Sequence, residues 1–498
     1  MSVRQAVIAN FVFLTTILLC PADRATRADS FTYVDENRNS ITIEARLIGN
    51  GQNFSALERH DGQIQIVPTG AIQAREITGA PEPIDVAGMQ ELLQKQFGAE
   101  RVRFEVRDPF LVALVLTTPL DRAGERRAGS FVKKAADFMS RVDGVFMRHA
   151  TKMRLRLREL RFPMVLVIYE SDEDFNEYAQ EATGGQGLSA SSIAGFYSGL
   201  TNWLAVRLSS CDTFEVPLHE AIHQQMYNRV FQRLAPIPKW FDEGIATGFE
   251  SDGGRIDVYP EKVNRRYARQ FLAMRQQIDW GTILADDSAF TADILAGNAY
   301  TLAWCMHWML CTQHADAYRN YVAELGNREP LTQLNQDERV RRFEQSFGVS
   351  VSTVQADFPR ALQAAVKRGR VDLTPNQSAG RATEQQALGE ASINAVQRSD
   401  LGGQLHVDGS LKNVSPLRAL TFYVTVETES GMYADWLIPN LKPNQQANLT
   451  RQLAQKQAPG ANGGAASRFR VWIRSTPADS DTAKKWESGD VPGPMFQP

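Results

Sequence analysis

The stretch from Pro217 to Glu250, PLHEAIHQQMYNRVFQRLAPIPKWFDEGIATGFE, holds two histidines four residues apart, with a glutamate directly after the first. On an α-helix, residues four apart lie one turn apart on the same face, so His219 and His223 can reach one ion. Glu220 is offset from His219 by about 100°, the angular step of a helix, which places its carboxylate beside such an ion rather than on it. The chain has only seven histidines in 498 residues, so the pairing is a specific signal. The pattern predicts a metal-binding helix.

A third ligand is expected from the residues that follow this helix. Pro236 and Pro238 interrupt the helix and force a turn. A second helix, KWFDEGIATGFE, can then pack against the first and present Glu243, while Gly244 lets two backbones approach closely. Two neutral imidazoles and one carboxylate suit Zn²⁺ and leave one position open, where zinc lowers the pKa of water from about 15.7 toward about 7. We therefore expect Zn²⁺ as the cofactor.

The segments HEAIH and WFDEGIA together resemble a known group of enzymes, the gluzincin metallopeptidases of the MA clan. In those families an H-E-x-x-H helix is followed by a glutamate ligand inside a W-x-x-E-G-x-A segment. Nineteen residues separate His223 from Glu243 here, a spacing similar to that of the family. The resemblance extends more loosely over residues 98–366 and is closest to exported bacterial gluzincin-like proteins of unassigned function. It implies that His219, His223 and Glu243 bind zinc and that Glu220 is the general base of a peptidase.

The resemblance also implies other parts of a peptidase site. The hairpin GFYSGLTNWLAVR at residues 195–207 corresponds to the edge strand that binds an extended substrate. Gluzincins commonly stabilise the oxyanion with a tyrosine or histidine after the glutamate ligand, and Tyr300 is the first candidate, with His307 as the second. A packing role for Tyr300 is the alternative. No G-x-M-E-N-type segment, by which related aminopeptidases grip a free amino terminus, precedes the site. The expected activity is therefore that of an endopeptidase.

The N-terminal residues have the composition of an export signal. Arg4 is followed by an apolar run from Ala6 to Cys20 and by small residues up to Ala28. The run is shorter than the roughly twenty residues that span a membrane, so a signal peptide over residues 1–28 is predicted. A retained membrane anchor and a lipid anchor on Cys20 are the alternatives. The mature protein is expected to be exported, either periplasmic or secreted.

The rest of the chain predicts an α+β protein with a zincin-like catalytic domain between two β-rich parts. Alternating apolar residues with turns at Asn50-Gly51 and Asp61-Gly62 predict a small β module over residues 30–80. It resembles SH3-like modules of exported bacterial enzymes, and an unrelated β-hairpin is the alternative. The remaining predicted boundaries are the catalytic domain at 98–369, a polar linker at 370–400, a β-sandwich-like domain at 401–475 and a disordered tail at 476–498.

The composition limits the partners and leaves more than one function open. The formal net charge of −3 gives no electrostatic attraction to nucleic acid. A protein or peptide substrate is the expected partner, and the flanking β modules could contact the cell envelope; the oligomeric state is not predicted. One alternative is an envelope binding or scaffolding protein that keeps a metal site without catalysis. Another is an amidase that acts on cell-wall peptides.

Overall fold

The computed structural model has a mixed α+β fold, as the sequence predicts. The residues it describes are 29–35, 37–182, 194–211, 214–250, 259–274, 278–290, 296–374, 382–398, 404–428, 432–449, 452–454, 456–457 and 469–492. The predicted signal at 1–28 lies outside them. Within these ranges, none of the helices combines the length and the apolar character that a membrane span requires.

An antiparallel five-stranded sheet comes first in the chain. Its strands are β1 Ser30–Val34, β2 Ser40–Asn50, β3 Phe54–Arg59, β4 Ile64–Pro68 and β5 Ile72–Glu76, in the order β4-β3-β2-β1-β5. The two predicted turns connect β2 to β3 and β3 to β4, and Gly62 has a positive φ of 80°. Alternate apolar residues, among them Phe31, Ala45 and Leu57, are buried on one face and form a small core. The predicted pattern of apolar and polar residues is therefore the one that the sheet displays.

The central sheet carries the helices that lead to the candidate site. The elements are α1 Val86–Phe97, β6 Val102–Arg107, β7 Phe110–Val115, α2 Arg122–Met153, β8 Met164–Tyr169, α3 Asp172–Ala182, β9 Gly195–Tyr197 and β10 Trp203–Arg207. The strand order is β6-β7-β8-β10-β9, with β7, β8 and β10 parallel and an antiparallel strand at each edge. Every residue of the three parallel strands is buried, because helices cover both faces. The continuous apolar runs FLVALV and MVLVIY form two of these three strands.

The helical part follows the hairpin of β9 and β10. It consists of α4 Glu215–Arg229, α5 Lys239–Phe249, α6 Arg265–Ala273, α7 Trp280–Ala285, α8 Ala296–Gln313, α9 Ala315–Gly326, α10 Gln336–Phe347 and α11 Val351–Gly369. The buried Gln224 on α4 donates from Nε2 to Val165 O at 3.0 Å, which ties this helix to β8. A Cβ atom on Gly244 of α5 would lie 2.6 Å from Ala303 O of α8. The predicted close approach at Gly244 therefore exists, and its partner is α8.

The C-terminal part contains two antiparallel sheets and a last helix. Its elements are β11 Ala382–Gln386, β12 Gly389–Arg398, β13 Gln404–Asn413, β14 Leu420–Thr428, β15 Met432–Leu441, β16 Gln446–Asn448, β17 Gln452–Ala454, β18 Lys456–Gln457, β19 Phe469–Pro477 and α12 Asp481–Glu487. One sheet has the order β11-β12-β13-β16, with β17 also paired to β13, and the other has the order β18-β15-β14-β19.

Two predictions for this part are wrong. The predicted linker at 370–400 contains β11 and β12, where the buried apolar residues Ala391 and Ile393 are too few to indicate a strand. The predicted disordered tail from 476 contains α12, which Ser480 caps by accepting a hydrogen bond from Ala483 N. Trp486 buries this short helix against the ring of Tyr423, at 6.3 Å between centroids.

Candidate metal centre

Helices α4 and α5 bring the three predicted ligands to one point. His219 Nε2 lies 3.1 Å from His223 Nε2, and Glu243 Oε2 lies 3.1 Å from the first of these atoms and 3.5 Å from the second. His223 and Glu243 are each 6% exposed, so the cluster lies at the base of a cleft rather than on the surface. These three residues form the one His/Cys/Asp/Glu group that could hold a metal ion among the residues that the structure describes.

A carboxylate fixes the far side of the first imidazole ring. His219 Nδ1 lies 2.7 Å from Glu250 Oε1, at the end of α5. Tyr267 of α6 donates its hydroxyl to the other oxygen, Glu250 Oε2, at 2.6 Å. The carboxylate accepts a hydrogen bond from Nδ1–H, so the tautomer with a lone pair on His219 Nε2 is favoured. That lone pair faces the cluster.

The second imidazole is held in the same way by a different carboxylate. His223 Nδ1 lies 2.8 Å from Asp242 Oδ1, and Tyr227 donates its hydroxyl to Asp242 Oδ2 at 3.2 Å. Asp242 precedes the third candidate ligand directly in α5 and is 4% exposed. Both rings therefore present Nε2 to the same point, with their orientation set by hydrogen bonds on Nδ1.

The electrostatics of this cluster fit a divalent cation. Burial lowers the pKa of His223, but the carboxylates of Asp242 and Glu243 outweigh it and raise that pKa to about 10. The pKa of His219 is likewise raised well above its usual value, because Glu243 and Glu250 outweigh the effect of burial. The protein thus favours positive charge at both imidazoles. A bound metal ion would supply this positive charge near the same carboxylates and would accept both Nε2 lone pairs. The side chains present therefore fit a zinc ion held by two histidines and one glutamate.

Glu220 lies beside the cluster and is not one of its ligands. Its Oε2 accepts a hydrogen bond of 2.9 Å from the backbone N–H of Tyr197 on the edge strand β9. Burial raises the pKa of the Glu220 carboxyl. The geometry therefore leaves this carboxylate between the cluster and the edge strand, where it can exchange a proton with a group bound in the cleft.

A cavity of about 660 Å³ opens over the cluster and includes Tyr300 in its wall. The Tyr300 ring lies 6.3 Å from the ring of His219, and burial raises the pKa of its hydroxyl, which therefore stays protonated at neutral pH. The other lining residues come from β9 and its turn, from α4 and α5, and from the region before α8; they include Gly195, Phe196, Ser198, Leu200, Leu234, Lys239, Asp287 and Phe290. The predicted oxyanion candidate is thus in the same cleft as the predicted ligands.

His307, the second oxyanion candidate, is placed elsewhere. It is fully buried on α8, its Nε2 lies 2.7 Å from the hydroxyl of Tyr318, and its ring packs against Phe241. It does not line the cleft. The interpretation of His307 as an oxyanion-binding residue is therefore wrong, and its role is in the core under α5.

The buried His307 predicts a pH dependence of stability. Burial lowers its pKa to about 3, whereas an unfolded histidine titrates near 6.5. As pH falls below about 6.5, the unfolded chain binds a proton that the folded chain does not, so stability is lost. From pH 7 to pH 5 this one group should reduce the free energy of unfolding by about 2 kcal/mol. In urea denaturation with a chelator present, the free energy of unfolding of His307→Gln should fall by about 2 kcal/mol less between pH 7 and pH 5 than that of the wild type. Equal pH dependence in the two proteins would contradict the assignment, and the exposed His60→Gln serves as the control.

Removing one of the carboxylates behind the imidazoles should weaken metal binding without abolishing it. Asp242→Asn and Glu250→Gln each replace a charged acceptor by a neutral amide of the same shape. Loss of such a partner typically costs about 10–100-fold in metal affinity. We expect this loss of zinc affinity in a competition titration with a chromogenic chelator. The exposed Asp316→Asn is the control, and an unchanged zinc affinity in both test variants would contradict the described geometry.

Comparison with known protein families finds a match over a segment that includes most of α4 and all of α5. Residues 216–332 match the profile of a family described as "Protein of unknown function (DUF1570)". No curated protein matches the chain. The matched segment begins in α4 and ends beyond α9, so it contains His219, Glu220, His223, Glu243 and Tyr300. The chain is therefore similar to this family over the part that carries all five candidate residues.

Proposed function

We propose that the chain is an exported zinc-dependent metallohydrolase, and that it acts as an endopeptidase on proteins or peptides. The observation that carries the proposal is the convergence of His219 Nε2, His223 Nε2 and Glu243 Oε2 at the base of a cleft, with Glu220 beside them. In this proposal the region from 98 to 369 is a gluzincin-like catalytic domain of zincin type. The N-terminal sheet is an SH3-like module, and the two C-terminal sheets are a β-sandwich-like module.

The proposed roles of the side chains follow from their positions. His219, His223 and Glu243 would hold the ion, which when bound supplies a Lewis acid and lowers the pKa of water. Glu220 accepts a proton from the attacking water and passes it to the nitrogen of the leaving amine. The raised pKa of this buried carboxyl suits both halves of that transfer. Tyr300 donates its hydroxyl proton as a hydrogen bond to the oxyanion that forms on the substrate carbonyl.

The edge strand β9 supports a peptide as the substrate. Among the residues that the structure describes, β9 pairs with β10 alone, and its residues Gly195, Phe196 and Tyr197 line the cleft. An extended peptide could add to this edge as a further strand, with its side chains directed alternately into the cleft and away from it. The N–H of Tyr197 is bonded to Glu220, so strand addition would bring a backbone amide next to the proposed base.

The experiment that tests the function is digestion of a mixed peptide library by the purified mature protein. We expect cleavage inside peptides, loss of cleavage with a chelator and its return when zinc is added back. A protein that binds zinc fully and cleaves nothing would contradict the enzymatic proposal. That result would favour the alternative of an envelope binding protein with a metal site that is not catalytic.

The tyrosine in the cleft gives a further expected result. Tyr300→Phe removes only the hydroxyl and keeps the packing of the ring against His219 and Phe290. Loss of one oxyanion donor typically lowers kcat by about 10²–10³-fold. We expect a loss of this size in kcat on a peptide substrate, with KM and zinc content close to those of the wild type. A wild-type kcat would contradict the oxyanion role and leave Tyr300 as a packing residue.

A further inference from the structure

A second cavity lies at the C-terminal end of α4, between this helix and the N-terminal sheet. Its volume is about 590 Å³, within the usual range for small-molecule pockets. Its wall comes from β2, β3, the segment 158–162 before β8, and the end of α4 with the residues that follow. Tyr227 lines both this cavity and the metal cleft. We call the second cavity the arginine pocket.

The arginine pocket has more positive than negative groups in its wall. The charged lining residues are Arg46, Arg158, Arg161 and Arg233, and Glu58 and Glu159. Four guanidinium groups against two carboxylates leave an excess of two positive charges. Glu82, outside the lining, acts on Arg161 and offsets part of this excess. Concave, partly buried positive charge of this kind attracts anions.

One buried carboxylate lies within ion-pair distance of three of these arginines. Glu58 is 4% exposed, and its Oε2 pairs with Arg46 and lies 3.4 Å from Arg161 Nε, while its Oε1 pairs with Arg233. A single carboxylate cannot neutralise three guanidinium groups, and buried charges in proteins are normally paired. Burial lowers the pKa of Arg161, and the charges of Arg46 and Arg233 lower it further, whereas Glu58 and Glu82 act in the opposite direction. Positive charge therefore exceeds negative charge in the wall of this pocket.

The arginines also have unused hydrogen-bond donors. Arg46 bonds through Nε and Nη2 to Glu58, and Arg161 bonds through Nη2 to Pro81 O. Within the described ranges, neither Arg46 Nη1 nor Arg161 Nη1 donates to a protein atom. Guanidinium groups recognise carboxylate and phosphate oxygens through paired N–H donors. We propose that the arginine pocket binds a small ligand bearing a carboxylate or phosphate group, held by Arg46 and Arg161.

Calorimetric titration of the full mature protein tests this proposal with two probes, inorganic phosphate and citrate. Both are titrated at an ionic strength matched with sodium chloride. We expect saturable binding at one site per chain; the probe that binds identifies the ligand as a phosphate or a carboxylate. Arg161→Met keeps the apolar stem and should weaken binding about tenfold or more, the effect of losing a hydrogen bond to a charged group. Arg156→Met, an exposed neighbour outside the pocket, should bind like the wild type.

A third variant separates ligand binding from a purely structural role. Glu58→Gln removes the carboxylate that competes with a bound anion, so it should strengthen binding of the same probe. A structural salt-bridge cluster would show no such gain. If Arg161→Met does not fold, Arg46→Met replaces it, because the side chain of Arg46 is 40% exposed and tolerates substitution better. The proposal is wrong if neither probe binds saturably at millimolar concentration, or if both arginine variants bind like the wild type.

Discussion

Glu220→Gln is expected to lower kcat on a peptide substrate by on the order of 10³-fold, the usual contribution of a general base. The amide cannot accept a proton from water, but its oxygen can still accept the hydrogen bond from Tyr197 N. The three metal-binding atoms are unchanged by the substitution. We therefore expect wild-type zinc content and a wild-type thermal midpoint alongside the loss of turnover.

The measurement compares steady-state kinetics with the metal content of the same preparations. Glu177→Gln, on the exposed face of α3, is the matched control and should retain full activity. Full activity in the Glu220 variant would remove the proposed base from the mechanism. Zinc loss in that variant would instead make Glu220 a ligand, which the present geometry does not show.

Glu243→Gln is expected to reduce zinc affinity by more than the roughly 100-fold upper range for loss of a hydrogen-bonding partner behind a ligand. Glu243 supplies the only carboxylate oxygen that faces both Nε2 atoms among the described residues. The amide keeps the shape of the side chain, so the packing of α5 against α8 should persist. Lys239 Nζ lies 3.4 Å from Glu243 Oε1. Without the negative charge of Glu243, the ammonium group would repel a bound cation more strongly, which lowers zinc affinity still further.

Competition with a chromogenic chelator measures this affinity, and circular dichroism checks the fold of the variant. Asp242→Asn is the reference variant for the size of the effect, because Asp242 contacts the imidazole of His223 and is not one of the three proposed ligands. We expect the order of affinities wild type, Asp242→Asn, Glu243→Gln, from tightest to weakest. A Glu243 variant with wild-type affinity would mean that the carboxylate is not a ligand.

The sequence was most informative where the chemistry depends on local spacing. The positions of His219 and His223 on one helical face follow from their separation. The two prolines predict a break before the second helix, but α4 ends earlier, at Arg229. Glu243 required the resemblance as well, because spacing alone does not say which acidic residue of the second helix turns inward. The structure places it there because α5 buries Phe241 and Ile245 on its other sides.

The supporting residues of the site were harder to predict because they depend on tertiary contacts. Glu250 follows Glu243 by seven residues, two helical turns, which would have indicated the same face had the end of α5 been known. Tyr267 comes from α6, and no local pattern relates it to Glu250. Likewise, β11 and β12 lack a strong apolar alternation of their own, and β12 gains stability from pairing with β13 and β11 from pairing with β12.

We propose that two imidazoles and one carboxylate from consecutive helices bind one zinc ion. X-ray absorption at the zinc edge of the purified mature protein, with zinc quantified per chain, tests this site most directly. We predict one zinc per chain, nitrogen and oxygen neighbours at about 2.0–2.1 Å and outer-shell scattering from two imidazoles. Sulfur neighbours at about 2.3 Å, a different number of imidazoles or a protein that does not retain zinc would contradict the claim.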